Sequence, residues 1–378
     1  MRKQKICIVG DGLTGLTTAL ILSKLDIDID LISKKNTKYQ LPDTRVTAIS
    51  EYNFHFLSEN FNKNEKKLFW PCTDINLFYE RANKLSLFMN FENQKRNLMY
   101  IAFNKNIKRI IYKKIKKKNN INIKNAEIDK VNINSTSVLI KNKNFFYDLV
   151  ILCLGRKSKL VPQLIGNRVI EESTKETAFT SLVQHQLNIS NPKQYFLKEG
   201  PLAILPLNSK NFSLVWSLRN QDNIKKIKNL THYKLKQIFN TKTKITLKKS
   251  QLFPISFKFN TNFFKKNFLI LGEGIYNIHP IAGQGFNLIM RDIRELYEEL
   301  KRSHSLGLQI KDSSILKRFS LSRKPENLLF GLGVNFTNSF FKQRKATDHI
   351  KEIILKDINK FKFLKDLSLK ISNKGIFK

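Results

Sequence analysis

Cysteine, histidine and acidic residues are scarce in this chain of 378 residues. The three cysteines, Cys7, Cys72 and Cys153, stand far apart with no Cys-x-x-Cys pair, and there are only six histidines. That excludes a disulfide framework and leaves no ligand set for a structural zinc site, so no metal is expected and a reducing compartment is. No stretch approaches the roughly 20 uncharged apolar residues of a membrane-spanning helix. Met1-Arg2-Lys3-Gln4-Lys5 and the apolar residues after it imitate a signal peptide, but Asp11 and three glycines interrupt the apolar region. No signal peptide is therefore expected, and the chain reads as soluble or peripheral. Asp+Glu number 30 against 68 Lys+Arg, a formal net charge of +38. Such a surplus suits nucleic acid or an anionic membrane surface. The lysines, however, come with Asn, Ile and Phe throughout the chain, as compositional drift would spread them, and nucleic acid is not an expected partner.

What is present can build a core. Hydrophobic residues make up 41% and charged residues 26%; the chain is not disordered and its length suits two domains. Ile6-Cys7-Ile8-Val9 is a short apolar run of the kind found in a buried parallel strand. Gly10-Asp11-Gly12-Leu13-Thr14-Gly15 follows at once, then a helical pattern with Leu16, Ala19, Leu20 and Ser23 along one side. Ile27, Ile29 and Leu31 alternate with Asp28 and Asp30 and predict the second strand. Strand, glycine turn, helix and strand in close succession are the setting a dinucleotide fingerprint requires.

Further on, Asn104 to Lys118 predicts a basic helix, and residues 121–147 predict a β-meander. Tyr147 to Leu154 is a strand running into Gly155. Between about 161 and 264, runs such as Leu202-Ala203-Ile204-Leu205 and Phe212-Ser213-Leu214-Val215-Trp216 predict a mainly antiparallel sheet. Phe268-Leu269-Ile270-Leu271 is a buried strand ending at Gly272, and a long helix opens at Gly285 with Ile289, Ile293, Leu296 and Leu300 on one stripe.

Two glycine motifs carry the chemistry. In the first, Gly10 allows the tight turn, Gly12 lets the backbone approach a pyrophosphate, and Gly15 lets the helix pack close to the strand. The acidic residue that commonly ends the second strand and binds a ribose is, by spacing, Ser33; Asp30 carries the carboxylate but sits too early. The second motif is His279-Pro280-Ile281-Ala282-Gly283-Gln284-Gly285-Phe286-Asn287-Leu288, preceded by Gly272-Glu273. A Gly-x-Gly loop opening a long helix is a second cradle of backbone N–H groups, and two cradles can hold both ends of a large dinucleotide. His279 reads as a structural loop histidine, and helix capping is the alternative role for Gln284 and Asn287.

Gly272-Glu273 followed by the block from His279 to Asp292 resembles the signature of the FAD-dependent ring hydroxylases of ubiquinone biosynthesis, flavoprotein monooxygenases of the para-hydroxybenzoate hydroxylase type. Asp43-Thr44-Arg45-Val46-Thr47-Ala48-Ile49-Ser50 and Gly200-Pro201-Leu202-Ala203-Ile204-Leu205-Pro206 are similar to two further family segments, in order. The resemblance covers nearly the whole chain, with the block around residue 279 alone specific by itself. It implies an α/β fold: a Rossmann-like FAD-binding domain, built from 1–73, 98–160 and 265–378, with a second, mainly antiparallel β-sheet substrate domain from 74–97 and 161–264. Gly10, Gly12, Gly15 and Ser33 would hold the ADP half of FAD, and Arg45 the pyrophosphate. Asn104 and Gly155 would lie near the cofactor, Gly272 and Glu273 at the ribityl chain, and Pro280, Gly283, Gln284, Gly285, Phe286 and Asn287 around the isoalloxazine ring.

The activity so implied is oxygen insertion into a lipophilic phenolic substrate. NAD(P)H, a transient reductant, reduces the flavin, O2 adds at its C4a position, and one oxygen atom passes to an activated ring carbon. No catalytic side chain is identifiable. A cytoplasmic protein resting on the inner face of the membrane is expected, with other quinone-biosynthesis enzymes as partners. Ile350, Ile353, Ile354, Phe361, Leu364 and Leu367 follow helical spacing between lysines, as a surface on anionic lipid or a helix packed on the core would. Three positions where the family places a carboxylate are altered, to Ser33, Leu154 and Glu273. A turnover-deficient scaffold subunit and a hydroxylase of a soluble aromatic are the alternatives.

Overall fold

The computed structural model describes residues 3–34, 44–82, 84–155, 158, 160–166, 169–219, 223–277, 283–341, 355 and 362–376. Its helices are α1 (Leu13–Leu22), α2 (Glu51–Ser58), α3 (Lys63–Lys66), α4 (Asn104–Ile115), α5 (Leu160–Ile165), α6 (Ile224–Phe239), α7 (Gly285–Ser305), α8 (Ser313–Phe340) and α9 (Lys362–Asn373).

The apolar runs ending in glycine lie side by side. A six-stranded sheet has the order Phe264–Lys265, Phe268–Ile270, Leu149–Leu152, Lys5–Val9, Asp28–Ser33 and Ile121–Asn125, parallel throughout except for the short first pair. Helices cover it, so its central strands are buried on both faces; Ile6, Cys7, Ile8, Val150 and Leu269 are inaccessible. The predicted meander is corrected at one strand. Ile121–Asn125 leaves it to pair in parallel with Asp28–Ser33, where Ile121 lies opposite Ile29 and gains a hydrophobic edge. The other three strands, Lys130–Asn132, Ser137–Ile140 and Lys143–Phe146, form the meander.

The expected antiparallel sheet is present, with eight strands. Its order is Tyr276–Asn277, Thr246–Asn260, Val169–Gln184, Asn211–Arg219, Gly200–Asn208, Lys193–Leu197, Asp74–Arg81 and Lys84–Glu92. Only Lys193–Leu197 beside Asp74–Arg81 is parallel. One face packs on α6 through Phe179, Phe212, Trp216, Ile227 and Leu235. A three-stranded sheet of Val46–Ser50, Met99–Phe103 and Trp70–Cys72 lies against the larger one, sharing a small core of Ala48, Ile101 and Leu205.

Helix α7 joins these parts. Its Arg291 and Asp292 are buried among Arg323, Glu326 and Asn327 of α8. Arg323 Nε donates to Asp292 Oδ1 at 2.7 Å and its Nη2 to Asn327 at 2.8 Å, while Nη1 pairs with Glu326. The Tyr276 hydroxyl donates to Asp292 Oδ2 at 2.6 Å. Arg291 Nη2 reaches the carbonyls of Ile371 and Ser372 at 2.9 and 2.8 Å, fixing α9 in place. Charges removed from water this completely require their partners. Arg323→Met is expected to leave Asp292 without a cation and Glu326 with Arg291 alone, and to cost about 3–5 kcal/mol in urea unfolding; a variant as stable as the wild type would show that the network does not hold the helices.

Candidate functional site

The fingerprint turn sits at the carboxyl end of the parallel sheet, where ligands of such folds bind. Gly10 has φ +110° and donates its N–H to Ile32 at 2.8 Å. A Cβ on Gly15 would lie 1.9 Å from the Gly10 carbonyl oxygen, so α1 can approach only without a side chain there. Gly12 differs: a Cβ on it would meet nothing within 4 Å. The turn is thus closed toward the protein and open toward solvent at Gly12. Gly12 is also the N-cap of α1, with no capping side chain and no acidic residue in the first turn. Free N–H groups and the positive end of the helix dipole face that opening.

Ser33 ends its strand as expected, and its hydroxyl donates to Asn125 Oδ1 at 3.3 Å. Asp30, earlier in the same strand, is buried. Tyr147 donates to it at 2.7 Å, and the ammonium groups of Lys5 and Lys124 lie at 3.0 and 2.8 Å. Its carboxylate is committed to the protein and is not free to meet a ligand.

The other glycine loops converge on this turn. Gly272, at φ +83°, lies against Thr14 of the fingerprint, whose hydroxyl would be 3.0 Å from a Cβ. Gly155 faces Glu273, whose Oε2 would be 3.9 Å from a Cβ. Leu154, where the resembling family has a carboxylate, packs its side chain toward Gly10 instead. The exposed Glu273 carboxylate therefore stands at the loop that lacks one. Arg45 and Asn104 are joined by a backbone hydrogen bond of 3.0 Å, and the Thr47 hydroxyl donates to Asn104 Oδ1 at 2.5 Å.

The second cradle opens α7. Gly283, at φ +63°, packs on Ala48, and a Cβ on Gly285 would meet nothing within 4 Å. Gln284 caps α7 without a side-chain bond to the helix backbone and without an acidic residue in the first turn, and Phe286 is buried. Asn287 is used internally. Its Oδ1 accepts from Ser50 N–H at 2.9 Å and from Asn53 at 3.2 Å; its Nδ2 donates to the Ala48 carbonyl at 3.0 Å and to Gln284 at 3.2 Å. It positions the loop. Asp43, Arg156, Lys157, His279, Pro280, Ile350, Ile353, Ile354 and Phe361 lie outside the described residues.

Beside Gln284 and Asn287 lies a cavity of about 660 Å³, within the range of small-molecule sites. The eight-stranded sheet lines it with Ile75, Leu77, Phe91, Gln194, Ala203 and Leu205, and α9 closes it with Ser368, Leu369, Ser372 and Asn373. Sequence reading identified none of these lining residues. The cysteines are buried, and burial holds the Cys153 thiol up at about 12, so it is not a nucleophile at neutral pH. Among the described residues no cluster could hold a metal ion.

No family model matches the chain. It is 27% identical over 186 residues to the mitochondrial ubiquinone biosynthesis monooxygenase COQ6 of Dictyostelium discoideum, a match covering 39% of this chain and 38% of that protein. To ubiquinone hydroxylase UbiM of Neisseria meningitidis it is 22% identical over 385 residues, 97% of this chain and 83% of UbiM. These homologues are ubiquinone hydroxylases. The chain spans about two-fifths of the length of several curated relatives it matches, COQ6 included. Among solved structures, p-nitrophenol 4-monooxygenase PnpA of Pseudomonas putida matches with a TM-score of 0.80 at 14% identity, covering 98% of this chain and 99% of PnpA. Klebsiella pneumoniae HpxO, complexed with FAD and uric acid, matches with a TM-score of 0.73 at 12% identity, covering 99% of this chain and 98% of HpxO. The fold is that of the FAD-dependent monooxygenases.

Asp30 offers a test of the site's electrostatics. Burial raises its pKa, but the hydrogen bonds from Lys124, Tyr147 and Lys5 outweigh it and hold the carboxyl below its ordinary value. A depressed folded pKa contributes stability above the unfolded value of about 3.9, and that contribution is lost as pH falls through the folded value. Asp30→Asn is expected to be less stable than the wild type at neutral pH, with a margin that closes below about pH 4. Urea titrations at stepped pH measure it; a margin independent of pH would refute the assignment.

Proposed function

We propose that this chain is an FAD-dependent monooxygenase that hydroxylates the aromatic ring of a polyprenylated quinone precursor in ubiquinone biosynthesis. The observation that carries this is the pairing of two uncapped helix N-termini, one at each glycine motif, with a largely apolar cavity at the second. The open space at Gly12 and Gly285, against the tight packing at Gly10 and Gly15, fits a dinucleotide lying along the backbone. When bound, FAD accepts electrons from NAD(P)H and delivers one oxygen atom of O2 to the ring.

The chain's own residues bind, orient and shield. Gly10, Gly12, Gly15 and Arg45 would hold the pyrophosphate, and Ser33 the ribose. Asn104, Gly155, Gly272 and Glu273 would flank the middle of the cofactor, with Glu273 returning a carboxylate to the loop where Leu154 replaces one. Gly283, Gln284 and Gly285, with Pro280 and Phe286, would meet the flavin, where the α7 N-terminus stabilises negative charge. The six-stranded sheet and its helices would form the cofactor domain, and the eight-stranded sheet the substrate domain. The sheet face and α9 exclude water from the cavity and orient the substrate ring. No observation favours the scaffold alternative.

A membrane surface belongs to this reading. Among the described residues no helix is long and apolar enough to cross a membrane. Helix α8 nevertheless exposes Leu321, Leu329, Leu332 and Phe336, which fall within an arc of about 80° at helical spacing. Phe363 and Leu367 are exposed on α9, the helix that walls the cavity. Apolar side chains interleaved with Lys317, Lys324, Lys362, Lys365 and Lys370 suit an anionic bilayer, from which a lipophilic phenol would enter.

Protein purified with FAD should carry a flavin spectrum and release about one FAD per chain on denaturation. Its NAD(P)H oxidation should rise with a prenylated phenol in liposomes. Absence of bound flavin at saturating FAD would sink the reading. Gly12→Val should cost no more than about 1 kcal/mol of stability, the loss of a better N-cap, because Gly12 has φ −64° and open space, but weaken FAD binding about tenfold or more. For the membrane, vesicles containing phosphatidylglycerol should sediment the protein and neutral phosphatidylcholine vesicles should not, with Phe336→Ser and Phe363→Ser weakening binding. Equal recovery with both vesicle types would dismiss an anionic surface.

A further inference from the structure

Gln194 is the polar side chain that the antiparallel sheet sets into its cavity-lining row. It occupies the strand Lys193–Leu197 and lies in register with Leu77 on one side and Ala203 on the other. Residues opposite one another across a ladder point to the same face, and Leu77, Gln194 and Ala203 all line the cavity. Lys193 turns its ammonium elsewhere, 5.8 Å from the Phe239 ring.

The amide is 5% exposed, and among the described residues its Oε1 has no hydrogen-bond partner. A few other buried side-chain atoms share that state, among them Thr17 Oγ1 and His185 Nε2, but of these residues Gln194 alone lines the cavity. A buried amide oxygen without a partner is costly to keep. An apolar residue in its place would pack with Ile75, Leu77 and Leu205 at no such cost. A primary amide both donates and accepts, and rotation of its last torsion presents either end to a ligand.

We infer that Gln194 is a specificity-determining residue that hydrogen-bonds an oxygen substituent of the substrate ring, selecting a phenolic ring over an equally apolar ring without oxygen. This rests on the hydroxylase reading and adds to it the side chain that reads the ring. The apolar side chains beside it accept the hydrocarbon of the substrate, and only the hydroxyl is counted by the amide. A hydroxyl meeting a waiting partner discriminates far better than a methylene in a greasy pocket.

The test titrates FAD-loaded protein with 2-geranylphenol and with geranylbenzene, its analogue lacking the hydroxyl, following the flavin spectrum. The wild type should bind the phenol about tenfold more tightly. In Gln194→Met, which keeps the length and removes the polar atoms, the two should bind equally, through loss of phenol affinity and not through gain of a general defect. The ligand-free Gln194→Met protein should melt at or above the wild-type temperature, since an unpartnered polar group is gone; a glutamine that merely supports the fold would lower it. Gln194→Leu serves as a second variant should the methionine pack poorly. A retained tenfold preference in either folded variant overturns the role of Gln194 and leaves the hydroxylase reading standing. An FAD-loaded wild type that binds neither probe overturns both.

Discussion

The amide of Asn287 holds the structure's working end together. It has two donors and two acceptor sites, and all four are met by the chain: Ser50, Asn53, Ala48 and Gln284. Those partners belong to the floor strand of the cavity, to α2 and to the glycine loop. One side chain in the first turn of α7 therefore sets where the helix begins and which way its free N–H groups point. One turn on, Arg291 fixes the carbonyl end of α9, and Asp292 draws in Arg323 of α8. The glycine loop, the Val46–Ser50 strand and the cavity wall formed by α9 hang on consecutive turns of one helix. A displacement of α7 would move all of them together, which is how a cavity built from distant segments keeps its shape.

Charge is handled differently inside and outside. Among the described residues the buried acids are each met by cations or by hydroxyl and amide groups: Asp30 by Lys5, Lys124 and Tyr147, Glu80 by Lys234, Glu176 by Arg219 and Asn338, Glu299 by Arg302 and Arg318, and Asp292 and Glu326 by Arg323. With 30 acids to 68 Lys+Arg, pairing acids with cations in this way leaves the rest of the chain carrying the whole formal excess of +38. Self-repulsion at such a surface is relieved by salt or by an anionic surface. Whatever enriched lysine, a strongly cationic protein with exposed leucine and phenylalanine on α8 and α9 has the features the proposed anionic-lipid contact would use.

The parts legible in the sequence were those governed by short-range rules. The run Ile6 to Val9, its glycine turn and α1 follow from burial and backbone geometry within a dozen residues, as do Phe268 to Gly272 and the opening of α7. The parallel sheet follows from them, since strands that end in glycine turns must share an edge to share a ligand. The strand Ile121–Asn125 was misassigned because its pairing with Asp28–Ser33 bridges a long separation that alternation cannot reveal. The burial of Asp30 was not legible for the same reason: the residues that meet it, Lys5, Lys124 and Tyr147, come from three other strands or their edges. The cavity was least legible. Its wall is assembled from segments near residues 75, 91, 194, 203 and 370, and no local pattern announces such a meeting.

The altered carboxylates illustrate why a site is better judged in three dimensions than position by position. Leu154 and Glu273 look like two independent losses from the resembling pattern. In space, Leu154 turns into the packing beside Gly10, and the extra methylene of Glu273 carries its carboxylate toward the Gly155 loop. Two changes at different positions leave one carboxylate at the shared crevice. Ser33 keeps an oxygen at the strand end, oriented by Asn125, although a neutral hydroxyl is a weaker partner for a ribose than a carboxylate. In the proposed reading, affinity lost there would come from the backbone N–H groups at α1 and α7, whose geometry depends on glycine spacing and helix position and is untouched by the side chains around them. A site that binds mainly through main-chain groups can absorb many substitutions, so long as its glycines and the one asparagine that aims the second cradle remain.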